Sequence, residues 1–192
     1  GIELAKSGLR SWSPLMITLT GLVPASYSWS VTDFRLPEDL EPILAVARTG
    51  PLVDFESALA PHLVGNEVIV SLDILPEGFA FVTNGATNSP GYLPTSIDTP
   101  RAGLDAWVAS EGAAGRVVTA LSVSPTAGMI RAYAFAYAGD TTAYETRVVD
   151  ASAATLEARA MELAAGGYII TGFGRVGDAA AILVGTRALA AR

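Results

Sequence analysis

The 192 residues include no cysteine, one histidine and one lysine. Each shortage removes a class of chemistry. Without cysteine there is no disulfide framework and no thiolate metal site, while the redox state of the compartment stays undecided. Lys6 is the sole lysine, and the eleven arginines are scattered singly in a chain of net charge −7. Nucleic-acid backbones and anionic membranes are held by clustered cations, so neither is an expected partner. His62 alone would have to support a Ser-His-Asp relay or a zinc site, and zinc without cysteine usually takes more than one histidine. Neither G-x-S-x-G nor H-E-x-x-H occurs. No uninterrupted apolar run approaches the ~18–20 residues of a membrane span. Hydrophobic residues nevertheless make up 51% of the chain, with a mean hydropathy of +0.41. Much of that is alanine and glycine, as a GC-rich bacterial genome would encode. An alanine-rich core is the first reading of the surplus and a self-associating face the second. The chain opens on Gly1 with no charged leader before an apolar stretch, so any signal peptide is expected to have been removed, and localisation is left open.

What the sequence does contain is internal similarity, which bears on architecture before any motif does. Residues 104–122 (LDAWVASEGAAGRVVTALS) align without a gap on 156–174 (LEARAMELAAGGYIITGFG) at a spacing of 52. Thr18, Val70, Thr119 and Thr171 fall at matching places, 52, 49 and 52 residues apart. The block reads as a short helix, a strand, a tight turn and a returning strand, four times over. In the first unit (residues 2–32) the returning strand alternates Tyr27, Trp29 and Val31 with three serines, one buried face and one wet. Before the second, Glu38, Asp39 and Glu41 follow Pro37 at what reads as a helix start over 37–48. Phe55, Leu59 and Leu63 then space a helix, despite Pro61 inside it. Phe79 and Phe81 repeat the aromatic return, and Tyr133, Phe135 and Tyr137 repeat it again between alanines. These aromatics are expected to form the inward face of the sheet; an exposed platform for a ligand is the alternative. Residues 84–100 are turn-rich and read as a connection, with room for one strand. Residues 144–150 read as a further strand, and Ser152 as the cap of a helix carrying Leu156, Ala160 and Leu163.

From Tyr144 on, the order strand, helix, strand, strand carries Val148 and Val149, Leu156, Gly167 before Tyr168, then Ile169 and Ile170. In this, residues 144–187 resemble the small uncharacterised bacterial β-α-β-β domains, with Tyr168 standing where a tryptophan would be usual. The resemblance implies a fold and brings no activity.

The fold class that follows is α+β: four helix–hairpin (αββ) repeats, antiparallel sheets, helices on one face. The domain reading is two tandem pseudo-halves, 1–85 and 101–192, joined by a connecting loop at 86–100. Each half is compatible with a ferredoxin-like arrangement. A single eight-stranded closed sheet with four outer helices is the alternative.

One string invites an enzymatic reading. Gly172, Gly174 and Gly177 match the G-x-G-x-x-G of dinucleotide-binding folds. The alignment sets Ala120 and Ser122 opposite the first two glycines, which makes this a strand and turn rather than a phosphate loop, so no cofactor is expected. His62, at the edge of the Leu59 stripe, is read as a partly buried structural residue. The carboxylate pairs Asp54 with Glu56 and Asp73 with Glu77 are what nineteen acids produce by chance. No catalytic or metal-binding residue is assigned. The expected function is a non-catalytic binding or assembly module that self-associates. The alternative is a small-molecule-binding protein or enzyme with a site between the halves, where Tyr92, Asp98 and Arg101 are the candidate contacts.

Overall fold

The computed structural model describes residues 43–64, 67–86, 91–124, 128–177 and 179–189. All belong to one compact unit, Ile43–Arg192. The first αββ unit read in the sequence, residues 2–32, lies outside the described residues.

Strand β1 (Ile43–Pro51) leads through a 3-10 turn into helix α1 (Phe55–Leu63), followed by the hairpin β2 (Glu67–Ile74) and β3 (Gly78–Ala86). The same order returns as β4 (Tyr92–Thr99), α2 (Arg101–Ala113), β5 (Val117–Val123) and β6 (Ile130–Tyr137). It returns again as β7 (Tyr144–Ser152), α3 (Leu156–Ala165), β8 (Ile169–Val176) and β9 (Ala180–Ala188). Among the described residues the architecture is α+β with three three-stranded antiparallel sheets, ordered β1-β3-β2, β4-β6-β5 and β7-β9-β8. Both outer strands run antiparallel to the middle one. They are therefore parallel to each other, and the helix is the crossover that parallel strands require.

Four αββ units are thus replaced, among the described residues, by three β-α-β-β units. Each helix has a strand before it as well as two after. Residues 43–48, read as part of a helix, belong to β1, which pairs with β3 along all nine residues. Ladder pairing outweighs the local helix preference of Ile-Leu-Ala-Val-Ala. Within the span read as a connecting loop, Tyr92–Thr99 pairs with β6 from Tyr92↔Tyr137 to Thr99↔Ile130. Three-stranded sheets also replace the four-stranded sheet of a ferredoxin-like half. Ser152 closes β7 instead of capping α3, and Thr155 occupies the cap position.

Among the described residues, each hairpin is bulged once in its first strand, between Ile69 and Ser71, Val118 and Ala120, and Ile170 and Gly172. The skipped residues are Val70, Thr119 and Thr171, three of the positions aligned by sequence. A bulge bends its strand and re-aims the next side chains, and here it brings β5 onto β2 and β8 onto β5. Thr119 Oγ1 donates to the Ile69 carbonyl, and the Ile74 amide donates to Ser122 Oγ at 2.8 Å.

Two hydrophobic clusters span neighbouring sheets. Phe55, Leu59, Phe79 and Phe81 of the first unit meet Ala120, Tyr133 and Phe135 of the second. Leu104, Val108, Val118 and Leu121 of the second meet Ile182 and Val184 of the third. Strand β6 is consequently buried on both faces, the aromatics toward the first unit and Ala132 and Ala134 toward α2. Phe79 and Phe81 stack at 5.6 Å, and Phe55 meets them at 5.4 and 6.5 Å. Each fully buried Leu or Phe here contributes about 1.5–3 kcal/mol. Tyr27 and Trp29 lie outside the described residues, and Tyr137 is exposed at the end of β6.

Candidate interaction surface

Tyr92, Asp98 and Arg101 do not converge. Tyr92 and Asp98 stand at opposite ends of β4, six residues and so about 20 Å apart along an extended strand. Tyr92 packs edge-on against Tyr137 at 5.7 Å. Asp98 accepts a hydrogen bond from Arg131 Nε at 2.5 Å. The Arg131 guanidinium also reaches Glu56 at 2.7 Å and the Tyr133 hydroxyl at 3.1 Å, and lies over the Phe55 ring. It therefore ties α1, β4 and β6 together. The bonds to Asp98, Tyr133 and Glu56 outweigh burial and hold Arg131 firmly protonated, while burial pushes the Tyr133 phenol up. Arg101, in the first turn of α2, grips both carboxylate oxygens of Asp150 on β7 and pairs with Asp105. Both arginines are cross-links between neighbouring units.

His62 Nδ1 lies 2.6 Å from Glu67 Oε2, which also accepts from the Thr83 hydroxyl, and its ring packs edge-on against Phe81. The imidazole thus ties the end of α1 to the start of β2. Of the acidic pairs, Glu56 is engaged by Arg131 and Asp73 lies 4.0 Å from Arg175. Among the described residues no group of three or more His, Asp or Glu is arranged to hold a metal ion. No described helix is long and apolar enough to cross a membrane.

The glycine string occupies β8 and the turn after it, and β9 follows where a dinucleotide fold needs a helix. Its glycines have a packing role. A Cβ on Gly174 would lie 2.4 Å from Leu121 Cδ1, and one on Gly172 would lie 3.0 Å from Leu121 Cδ2. Gly177 adopts φ +59° in the turn, a left-handed conformation suited to glycine.

What the sequence reading passed over is a surface on the third unit. Helix α3 buries only Leu163 among its residues, whereas α2 buries Leu104, Val108, Glu111 and Gly112. Met161 on α3 and Ile170 and Phe173 on β8 are exposed, the last two on one face of the sheet, and Ile169 is exposed on the other. Outward apolar side chains that share a face, as Ile170 and Phe173 do, mark interaction sites more often than scattered ones do. A signal was present: Ile170 and Phe173 align with Val118 and Leu121, which are fully buried. No protein-family model, curated protein or solved structure matches this chain.

Proposed function

We propose that this chain is a non-catalytic binding and assembly module that associates with itself. The observation that carries the reading is the third unit: a helix with one buried residue beside a strand that leaves Ile170 and Phe173 exposed on one face. The charged side chains offered as candidate contacts support it too, since Asp98 and Arg101 are spent on cross-links to Arg131 and Asp150. In the same reading the three sheets are copies of one β-α-β-β unit, supported by the shared strand order and the bulges at Val70, Thr119 and Thr171. Sedimentation velocity tests it: association that strengthens with concentration is expected. A monomer at every concentration, together with melting shifts from a small-molecule screen, would transfer the assignment to a ligand-binding protein.

A further inference from the structure

Three pairs of side chains hold equivalent places around the three bulges: Ile69 and Leu72 on β2, Val118 and Leu121 on β5, Ile170 and Phe173 on β8. In each pair the first residue precedes the bulge and the second comes two residues after it. Both point to the sheet face that carries the unit's own helix, as their cross-strand partners do: Phe81 packs with α1, and a Cβ on Gly185 would touch Leu163 of α3.

Two of the pairs are covered by the next unit in the chain. Ile69 and Leu72 lie in one cluster with Ala120, Tyr133 and Phe135. Val118 and Leu121 lie under Gly172, Gly174, Ile182 and Val184. In both cases the covering strand presents two small residues at alternate positions, Ala120 and Ser122 or Gly172 and Gly174, so that it can approach closely. The third pair is uncovered, with Ile170 39% and Phe173 51% exposed. It is a docking site of the type this chain closes twice, left open.

We infer that a second copy of this chain covers Ile170 and Phe173; this rests on the self-association reading above. The argument for that occupant is continuity with the interface the chain already uses. Both covering faces come from units of this same chain, and the first unit carries their counterpart: Ser71 and Asp73 on β2 stand where Ala120 and Ser122 stand on β5. Ser71 is exposed and small, and neighbouring Val82 on β3 is half-buried. Arg175, which follows Phe173 on β8, and Asp73, which follows Ser71 on β2, are opposite in charge and lie 4.0 Å apart within one chain, so that pair is intramolecular and adds nothing to the contact between copies. Such an interface is heterologous, one surface meeting a different one, so it extends to rings or open chains rather than stopping at a two-fold dimer.

The test is sedimentation velocity up to about 100 μM, a range that captures micromolar association, on three proteins: wild type, Ile170→Ser/Phe173→Ser, and the control Val53→Ser/Val64→Ser. The control removes two side chains exposed at 88% and 89% that lie at the two ends of α1. Wild type and control are expected to associate alike, and the double variant at least tenfold more weakly with its melting temperature unchanged. If wild type stays monomeric, the self-association reading falls and this inference with it. If wild type associates and the Ile170/Phe173 variant associates equally well, the inference alone is overturned and assembly uses another face. If control and variant are weakened equally, the surface has no specific role and the inference is overturned as well.

Discussion

Gly174→Ala is the sharpest probe of how β8 sits on β5. The added methyl would lie 2.4 Å from Leu121 Cδ1, 2.9 Å from its Cγ and 3.1 Å from its backbone oxygen. Leu121 is wholly buried, so the side chain has no solvent to swing into. Overpacking of this kind costs about 1–3 kcal/mol. Replacing a strand glycine by alanine returns about 0.5–1 kcal/mol through the unfolded chain's lower entropy. The net expectation is a loss of about 1–2 kcal/mol, and at roughly 2–4 °C per kcal/mol for a chain of this size, a melting temperature lower by about 2–8 °C. Gly172→Ala is the internal comparison: its Cβ would meet Leu121 Cδ2 at 3.0 Å and Val184 Cβ at 3.2 Å. Shifts of a few tenths of an ångström relieve those contacts, so the two contributions nearly cancel. Leu121→Ala alone opens a cavity costing about 2–5 kcal/mol. The double substitution Gly174→Ala/Leu121→Ala places the new methyl in that cavity, so the pair should be less destabilised than the sum of the singles, by about 1–2 kcal/mol. Urea denaturation of the four proteins reads this coupling. Neutrality of Gly174→Ala, or strict additivity of the double variant, would refute the packing role of the glycine string. A wild-type melting temperature raised by NAD, with the rise lost in Gly174→Ala, would return it to phosphate binding.

Gly112→Ala should destabilise, against the usual gain of about 1 kcal/mol for this change in a helix, because the Cβ would lie 2.8 Å from the Tyr144 carbonyl oxygen on β7; thermal melting checks the sign. Glu111 is buried, accepts the Thr95 hydroxyl at 2.7 Å and pairs with Arg116. Glu111→Ala strands that guanidinium and should cost about 2–4 kcal/mol in urea denaturation, toward the lower end because Arg116 keeps some solvent. Burial, opposed by Arg175, raises the Asp73 carboxyl above its ordinary value of 3.8. The folded state therefore favours the protonated form: this contribution is fully present below that ordinary value and is lost as pH rises through the folded one. Asp73→Asn should then melt at or above wild type at pH 7, with the difference closing near pH 3. A variant that melts below wild type at pH 7 and shows no pH trend would contradict the direction of the shift.

Elements with strong local signals were legible in the sequence. The aromatic returns at Phe79, Phe81, Tyr133 and Phe135 are buried strands, and the helices at Phe55, Leu104 and Leu156 stand where the apolar spacing put them. The strands that open each unit were legible only in part. Residues 92–99 contain a proline at Pro94 and polar residues at Thr95, Ser96 and Asp98, and such an edge strand carries little alternation of its own. It is held by pairing with β6, a partner almost forty residues away at its middle, and pairing of that range leaves no local trace. The candidate contacts failed to converge for a related reason. Charged residues flanking a loop suggest a site, but Asp98 and Arg101 each have a partner distant in sequence, Arg131 and Asp150, that sequence order does not bring to mind.

The junction from helix to second strand shows which features of the unit are fixed and which are free. Gly115 and Gly167 both adopt left-handed φ, +78° and +77°, just past α2 and α3, the residue type and conformation that end a helix without strain. After each, an amide returns to the carbonyl of a buried helix residue five positions back: Arg116 to Glu111 at 2.8 Å and Tyr168 to Leu163 at 3.0 Å. The backbone is the same while the side chains are not. One junction closes with a Glu111–Arg116 ion pair, the other with Leu163 beside Tyr168, and at the matching place in the first unit His62 meets Glu67. Two of these chemistries satisfy one backbone geometry, so the side chains there answer to local burial. The same comparison applied to the bulges separates Ile170 and Phe173 from their counterparts, since their residue types fit a closed interface and their surroundings do not. Under the self-association proposed above, a position whose chemistry matches its counterparts while its burial does not is where a second copy would dock. In this chain that mismatch falls on β8.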